Sequence, residues 1–125
     1  MRPILFVVAA LYLATAVYMF FAPQAFYDGT PGVAMMGPFN LHFIRDAGLA
    51  FLTSGAALVI GARSFNRDLA LFGAAWPFLH ALFHVWIWFG RGMPFDGVAL
   101  VNLVGIQLPA WLAVTAAYQL KGNST

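Results

Sequence analysis

Four long apolar stretches constrain the fold of this chain more than any other feature of its sequence. They cover residues 4–21, 39–60, 69–89 and 98–118, and each is close to the ~20 residues that a helix needs to span the hydrocarbon core of a bilayer. Clusters of glycine, proline and charged residues separate them, as is typical of turns. We therefore predict an all-α transmembrane four-helix bundle with up-down connectivity, formed as a single domain by residues 1–125.

The composition supports a membrane environment. The chain is 62% hydrophobic and 8% charged, whereas soluble domains are about 45–50% apolar and about 25% charged. A soluble domain of this size buries too small a share of its surface to hide so many apolar side chains. Six basic residues are spread along the chain without a run, which argues against a nucleic-acid partner. Cysteine is absent, so thiolate catalysis and thiolate metal sites are excluded.

The distribution of basic residues predicts the orientation. Four of them lie at the N-terminus, in the second connection and at the C-terminus: Arg2, Arg63, Arg67 and Lys121. Four crossings place these regions on one side, and arginine and lysine are enriched on the cytoplasmic side. We expect a multi-pass protein of the cell membrane with cytoplasmic N- and C-termini. Asn123-Ser124-Thr125 matches a glycosylation acceptor, but a cytoplasmic tail would not meet that machinery.

Ionisable residues within the predicted helices give the main functional signal. His42 and Asp46 are four residues apart on the second helix, and His80 and His84 are four apart on the third, so each pair shares a helix face. At ~1.5 Å per residue, all four lie at overlapping depths in the outer half of the bilayer. Ionisable groups there are costly and normally face the bundle interior or a wet cavity. If the two faces meet, they form one polar pocket that opens outward.

Three interpretations of this pocket stay open. In the first, the four residues hold a metal ion such as zinc, copper or iron, which suit imidazole and carboxylate ligands, or the histidines bind haem. In the second, the pocket holds a proton or an organic ligand. In the third, the polar groups form a structural network in which Arg45 and Asp46 compensate each other, or Arg45 pairs with Asp28 or Asp96.

Aromatic and amide side chains extend the candidate site. Four residues at steps of four form a stripe on the third helix: Trp76, His80, His84 and Trp88. Such a stripe suits a planar ligand such as a quinone or haem, although Trp88 also fits the interfacial aromatic belt. Arg45, which adjoins Asp46, is a further candidate ligand contact. Asn102 is another, because it enters the membrane at a depth comparable with that of His42. Gln107 lies deeper, and we expect it to bond a carbonyl freed by a proline.

One segment carries a family resemblance. An arginine precedes a helix rich in glycine and leucine, Arg45-Asp46-Ala47-Gly48-Leu49-Ala50-Phe51-Leu52. Together with the four-span size, it resembles the DoxX-like group of small four-helix membrane proteins and related families of unknown function. The resemblance covers most of the chain in architecture and implies the same fold. Some members are associated with quinone-linked oxidoreductases, but the three histidines of this chain are not part of the resemblance.

These observations predict a membrane binding or accessory redox module with an outward-facing His/Asp pocket for a metal, haem or quinone-like ligand. The first alternative is a non-catalytic subunit that packs against a larger membrane complex or forms a homo-oligomer. The second is a membrane enzyme that uses a histidine-bound metal. Glutamate is absent, and neither a phosphate-binding loop nor a nucleophile elbow is present, which argues against a paired-carboxylate hydrolase.

Overall fold

The computed structural model describes residues 1–121, and these residues are mostly helical. In chain order they form α1 (Arg2–Phe21), α2 (Pro23–Gly29), a 3₁₀ turn (Ala34–Met36), α3 (Leu41–Ser64), α4 (Arg67–Gly90), α5 (Gly97–Val101), a π-helical segment (Asn102–Gln107) and α6 (Leu108–Tyr118). No strand occurs within residues 1–121, so the all-α prediction is confirmed. The Asn123-Ser124-Thr125 motif lies outside the described residues.

In this part of the chain, four helical segments are long and apolar enough to cross a bilayer: Arg2–Phe21, Leu41–Ser64, Arg67–Gly90 and Gly97–Tyr118. They coincide with the predicted stretches, but α3 and α4 extend towards each other. The Asn66 side chain caps α4 by accepting a hydrogen bond from the Leu69 N–H (2.9 Å). Phe65 ends α3 in the left-handed region at φ 53°. The predicted connection of residues 61–68 therefore shrinks to two residues.

The connection between α1 and α3 is more ordered than its glycines and prolines suggest. α2 begins at Pro23, whose fixed φ and missing N–H suit the first turn of a helix. The Tyr27 hydroxyl donates a hydrogen bond to the Gly37 carbonyl (2.8 Å), and its ring packs edge-on against Phe39. These contacts fold the connection back to Asn40, which caps the start of α3.

Close contacts between small residues position α3 between α1 and α4. α3 presents Gly48 and Gly55 to α1, and Ser54, Ala57 and Gly61 to α4. A Cβ atom added at Gly55 would lie 2.9 Å from Cγ of Leu13, and one added at Gly61 would lie 2.7 Å from the Ala70 nitrogen. Small residues permit this close approach of helix backbones. α6 in turn packs against both α4 and α1.

The hydrophobic core lies in the half of the molecule that carries the N-terminus. Buried residues there come from the first half of α1, the end of α3, the start of α4, the end of α6 and the residue that follows its C-cap: Leu5, Val8, Ala9, Tyr12, Leu58, Ala62, Ala70, Ala74, Ala113, Ala116, Ala117 and Leu120. Most of these side chains are small, so the helices approach closely. The candidate site residues on α4 lie beyond this core, towards the opposite end.

Pro77 and Pro109 both fall within helical segments. α4 continues through Pro77. Before Pro109 the helix widens into the π segment, in which the Leu108 N–H bonds to the Leu103 carbonyl five residues earlier. Proline has no N–H with which to continue the α-helical pattern, and a π turn is one way for a helix to absorb such an interruption.

Candidate functional site

Trp76, His80 and His84 form a contiguous group of rings on α4, in line with their spacing. The Trp76 and His80 rings stack with 10° between their planes and 5.0 Å between their centroids. The His80 and His84 rings are 4.5 Å apart and inclined at 67°. Residues four apart lie one above the other on a helix, so the three side chains follow one line along α4.

Two other helices complete this group. The Phe51 ring on α3 meets the Trp76 ring edge-on at 4.9 Å and the His80 ring at 6.2 Å. The Tyr12 ring on α1 lies 5.4 Å from Phe51. We name these five residues the aromatic–histidine cluster. Tyr12 and Phe51 were not predicted as site residues, because their sequence spacing does not distinguish them from other apolar positions.

The polar atoms of the aromatic–histidine cluster have few partners. Within residues 1–121, neither the His80 nor the His84 imidazole forms a hydrogen bond, and both side chains are half-buried. The Tyr12 side chain is only 2% exposed, and its hydroxyl has no hydrogen-bond partner among the same residues. Buried polar groups in proteins are normally paired. The cluster therefore has unused hydrogen-bonding and metal-ligating capacity.

His42 and Asp46 lie apart from the cluster. His42 Nε2 is 3.3 Å from Asp46 Oδ2, and the two side chains are 89% and 57% exposed. His42 precedes Phe51 by nine residues, about two and a half helical turns, so the two project from opposite faces of α3. Because Phe51 contacts His80, His42 points away from the histidines of α4.

The shared pocket predicted from the sequence is consequently not assembled. Among residues 1–121 there is no group of three or more histidines and carboxylates that could hold a metal ion. The reason is the rotation of α3. Gly48 and Gly55 pack against α1, and this contact turns the face that carries His42 and Asp46 outward.

Arg45 contacts α1 instead of the cluster. Its Nε donates a hydrogen bond to the Phe20 carbonyl (3.1 Å), and its guanidinium carbon lies 5.4 Å from the centre of the Phe20 ring. The aspartates proposed as its partners are engaged elsewhere: Asp46 with His42, Asp28 with Gln24 and Asp96 with Arg91. The expected compensation between Arg45 and an aspartate is therefore not formed in the described part of the chain.

Trp88 stabilises the connection between α4 and α5. Its indole N–H donates a hydrogen bond to the Pro94 carbonyl (2.9 Å), so this side chain is anchored in the connection and not in the cluster. Asp96 caps α5 by accepting a hydrogen bond from the Ala99 N–H (2.8 Å). The hydrogen bond from Arg91, together with that from Ala99, lowers the pKa of the Asp96 carboxyl.

Gln107 links the π segment to α4. Its Nε2 donates hydrogen bonds to the Ala81 carbonyl (2.8 Å) and to Asn102 Oδ1 (3.1 Å). Gln107 therefore bonds a backbone carbonyl, as predicted, but a different one from that freed by a proline, since Pro77 leaves the Gly73 carbonyl without its partner. Asn102, a predicted ligand contact, is held at the α4 interface through Gln107.

The arrangement offers two kinds of chemistry. Trp76 and Phe51 present aromatic surface for a flat ligand, and the two imidazoles supply hydrogen bonds or nitrogen ligands to a metal. No carboxylate, thiol or aliphatic hydroxyl accompanies them within the cluster, whose one hydroxyl is the phenolic group of Tyr12. Comparison of the chain with protein-family models, with curated proteins and with solved structures finds no match.

Proposed function

We propose that this protein is an integral protein of the cell membrane with four spans in up-down order and both termini in the cytoplasm, an architecture like that of the DoxX-like group. Four long apolar helical segments support this placement. The end that carries the N-terminus is also the more basic one. There Arg2 donates a hydrogen bond to the Ala62 carbonyl, and Arg67 lies over the Tyr118 ring, as suits side chains at a cytoplasmic interface.

The aromatic–histidine cluster is the proposed binding site for a quinone-like ligand, which makes the protein a binding or accessory redox module. The observation that carries this proposal is a pair of half-buried imidazoles, His80 and His84, that lack hydrogen-bond partners within residues 1–121 and adjoin the Trp76 indole. An imidazole N–H can donate to a quinone carbonyl. Aromatic side chains favour stacked or edge-on contact with a flat ring.

The depth of the histidines fits a ligand dissolved in lipid. His84 and His80 lie six and ten residues before the end of α4 at Gly90, which corresponds to roughly 9 and 15 Å along the helix. Both therefore lie within a hydrocarbon core of about 30 Å. An apolar ring with two carbonyl acceptors can reach this depth from the bilayer, whereas a charged solute would need an aqueous route.

A metal ion is the second candidate ligand. The imidazoles of His80 and His84 have centroids 4.5 Å apart, and imidazole suits zinc, copper and iron. A structural zinc site normally has four protein ligands, but the cluster supplies two. This shortfall is why the quinone-like ligand is preferred.

Binding of a short-chain quinone to purified protein in detergent tests the proposal, with tryptophan fluorescence as the readout and elemental analysis of the same samples. We expect His80→Ala and His84→Ala each to weaken quinone binding about tenfold, the effect of losing one good hydrogen bond. His42→Ala is the matched control, because it removes the same side chain from the opposite face of α3, and it should leave binding unchanged.

Two outcomes would contradict the quinone proposal. Equal losses in all three variants would show that the effect is not specific to the cluster. Stoichiometric metal that is retained by the unaltered protein and lost in His84→Ala would establish the metal alternative in its place.

A further inference from the structure

A narrow apolar groove runs between α1 and α3 in the half of the molecule away from the core. Its volume is about 280 Å³. Gly48 forms its floor, and the walls come from both helices: Val17, Phe20, Phe21, Leu49 and Leu52. At Gly48 the two helices approach closely, since an added Cβ would lie 3.1 Å from the Met19 Cβ atom and 3.3 Å from the Ala16 carbonyl.

A cation lies at the outer end of this groove. Arg45 is one helical turn before Leu49, so the two share a face of α3. Its Nε is bound to the Phe20 carbonyl of the groove wall, which fixes the guanidinium beside the opening. Among residues 1–121 the carboxylates in contact with a basic side chain are Asp46 with His42 and Asp96 with Arg91, so no carboxylate contacts Arg45 there. Its two terminal nitrogens remain as donors.

The position of Arg45 along α3 matches the level of lipid phosphates. The 24 residues of α3 are about 36 Å long, roughly 6 Å more than the hydrocarbon core. Arg45 lies four residues inside the helix, so its Cα sits about 3 Å below the hydrocarbon boundary. A long arginine side chain easily reaches the headgroups from there. Leu49 and Leu52 follow about 6 and 10 Å deeper, along the course of an acyl chain.

We propose that this groove is a binding site for one phospholipid, whose phosphate is held by the Arg45 guanidinium and whose acyl chain lies against Val17, Leu49 and Leu52. The chemistry of the groove matches that of a phospholipid. The Arg45 guanidinium lies at headgroup level without a carboxylate partner among the described residues, as suits a phosphate, and the apolar residues below it suit an acyl chain. An arginine holds phosphate oxygens through two parallel hydrogen bonds. The inference rests on the membrane placement proposed above and is independent of the ligand at the aromatic–histidine cluster.

Native mass spectrometry of detergent-purified protein titrated with dioleoyl phosphatidylglycerol tests this site. We expect one tightly retained lipid per chain. Arg45→Gln should weaken its binding about tenfold through loss of charge-assisted hydrogen bonds. Val17→Trp should weaken it by filling the groove. Both positions are exposed, so the variants should fold, which circular dichroism will verify.

Matched controls separate this site from general lipid contact. Arg91→Gln removes a charge predicted to lie on the same side, and Leu79→Trp adds the same bulk at an exposed position of α4; both should retain the lipid. Equal losses in all four variants, or in none, would overturn the proposal. A retained chain dimer that Val17→Trp abolishes would overturn it too, since a second copy would then cover the groove.

Two further measurements complete the test. Glycerol phosphate, which has the anion without the acyl chain, should bind far more weakly than the phospholipid; equal affinity would mean that an anion alone is recognised and would overturn the acyl-chain assignment. Alkaline carbonate extraction of membranes examines the spanning architecture separately. Protein that resists extraction but retains no lipid contradicts the groove site alone, whereas protein that is extracted contradicts the membrane placement.

Discussion

The Tyr12 hydroxyl lies in the core without a hydrogen-bond partner among residues 1–121, although buried tyrosine hydroxyls usually have one. The ring itself is well placed, 5.4 Å from Phe51 and within the core cluster. An unsatisfied buried hydroxyl costs about 1–3 kcal/mol. Packing of the Tyr12 ring therefore stabilises the folded state, whereas its unpaired hydroxyl destabilises it.

Tyr12→Phe should therefore raise the free energy of unfolding by about 1 kcal/mol, because it removes the unpaired hydroxyl and retains the ring. Unfolding of the purified protein in mixed detergent micelles measures this change. Tyr27→Phe is the control, since it removes a hydroxyl that is bonded to the Gly37 carbonyl, and it should lower stability or leave it unchanged. A destabilised Tyr12→Phe would show that a ligand or water uses the hydroxyl.

The sequence predicted which residues share a face but not where each face points. The steps of four from Trp76 to His84 follow from helical periodicity, and their rings are indeed adjacent. His42 and Asp46 have the same spacing and form a pair, yet they face away from the bundle. Direction depends on which side of α3 packs against α1. That choice is made by tertiary contacts at Gly48 and Gly55, which the local spacing does not reveal.

The packing of helix α3 against α4 depends on small residues that let the two backbones come close together. Gly61 lies against the Ala70 backbone, and Gly73 lies against Ser54 and Ala57. Small residues at these positions let the helix backbones approach, and the van der Waals contacts that result stabilise their association. The two-residue turn at Phe65 and Asn66 then keeps the helices antiparallel.

Gly61→Ala should lower the free energy of unfolding by about 1–3 kcal/mol, the usual cost of overpacking. The added Cβ would lie 2.7 Å from the Ala70 nitrogen, so the backbone of α4 would have to move. Gly105→Ala is the control, because nothing lies within 4 Å of a Cβ at that position, and alanine improves helix propensity by up to about 1 kcal/mol. Equal effects of the two substitutions in the same unfolding assay would contradict this contact.

The sequence located the long helices better than the irregular segments. The length of each apolar stretch, together with the glycine, proline and charged residues between the stretches, predicted all four long helical segments. The caps at Asn40 and Asn66 were recognisable residue types, but their exact positions depend on local hydrogen bonds. The π segment before Pro109 was not predicted, because a proline indicates that the α-helical pattern is interrupted without specifying whether a kink or a π turn follows.

Across the whole molecule, the two ends have different chemistry. The end with the N-terminus combines the tight core with arginines whose side chains bind backbone and aromatic rings: Arg2 lies 4.2 Å from the Phe65 ring, and Arg67 lies 4.5 Å from the Tyr118 ring. The two histidines of the aromatic–histidine cluster, the groove at Arg45 and the longer connections lie towards the opposite end, whereas Tyr12 joins the cluster to the core. Packing stabilises one end, and the side chains proposed to bind ligands, His80, His84 and Arg45, lie towards the other.

This polarity leads to a topology prediction. Because arginine and lysine favour the cytoplasmic side, we expect the C-terminus in the cytoplasm. A C-terminal fusion to a reporter that works only in the cytoplasm should therefore be active, and a C-terminal fusion to a reporter that works only in the periplasm should be silent. The same periplasmic reporter inserted after Met93, in the connection that follows α4, should be active, which controls for expression. The reverse pattern would place the aromatic–histidine cluster and Arg45 in the cytoplasmic leaflet. The proposed quinone-like ligand and phospholipid would then have to enter from that leaflet, although the contacts that form the two proposed sites would be unchanged.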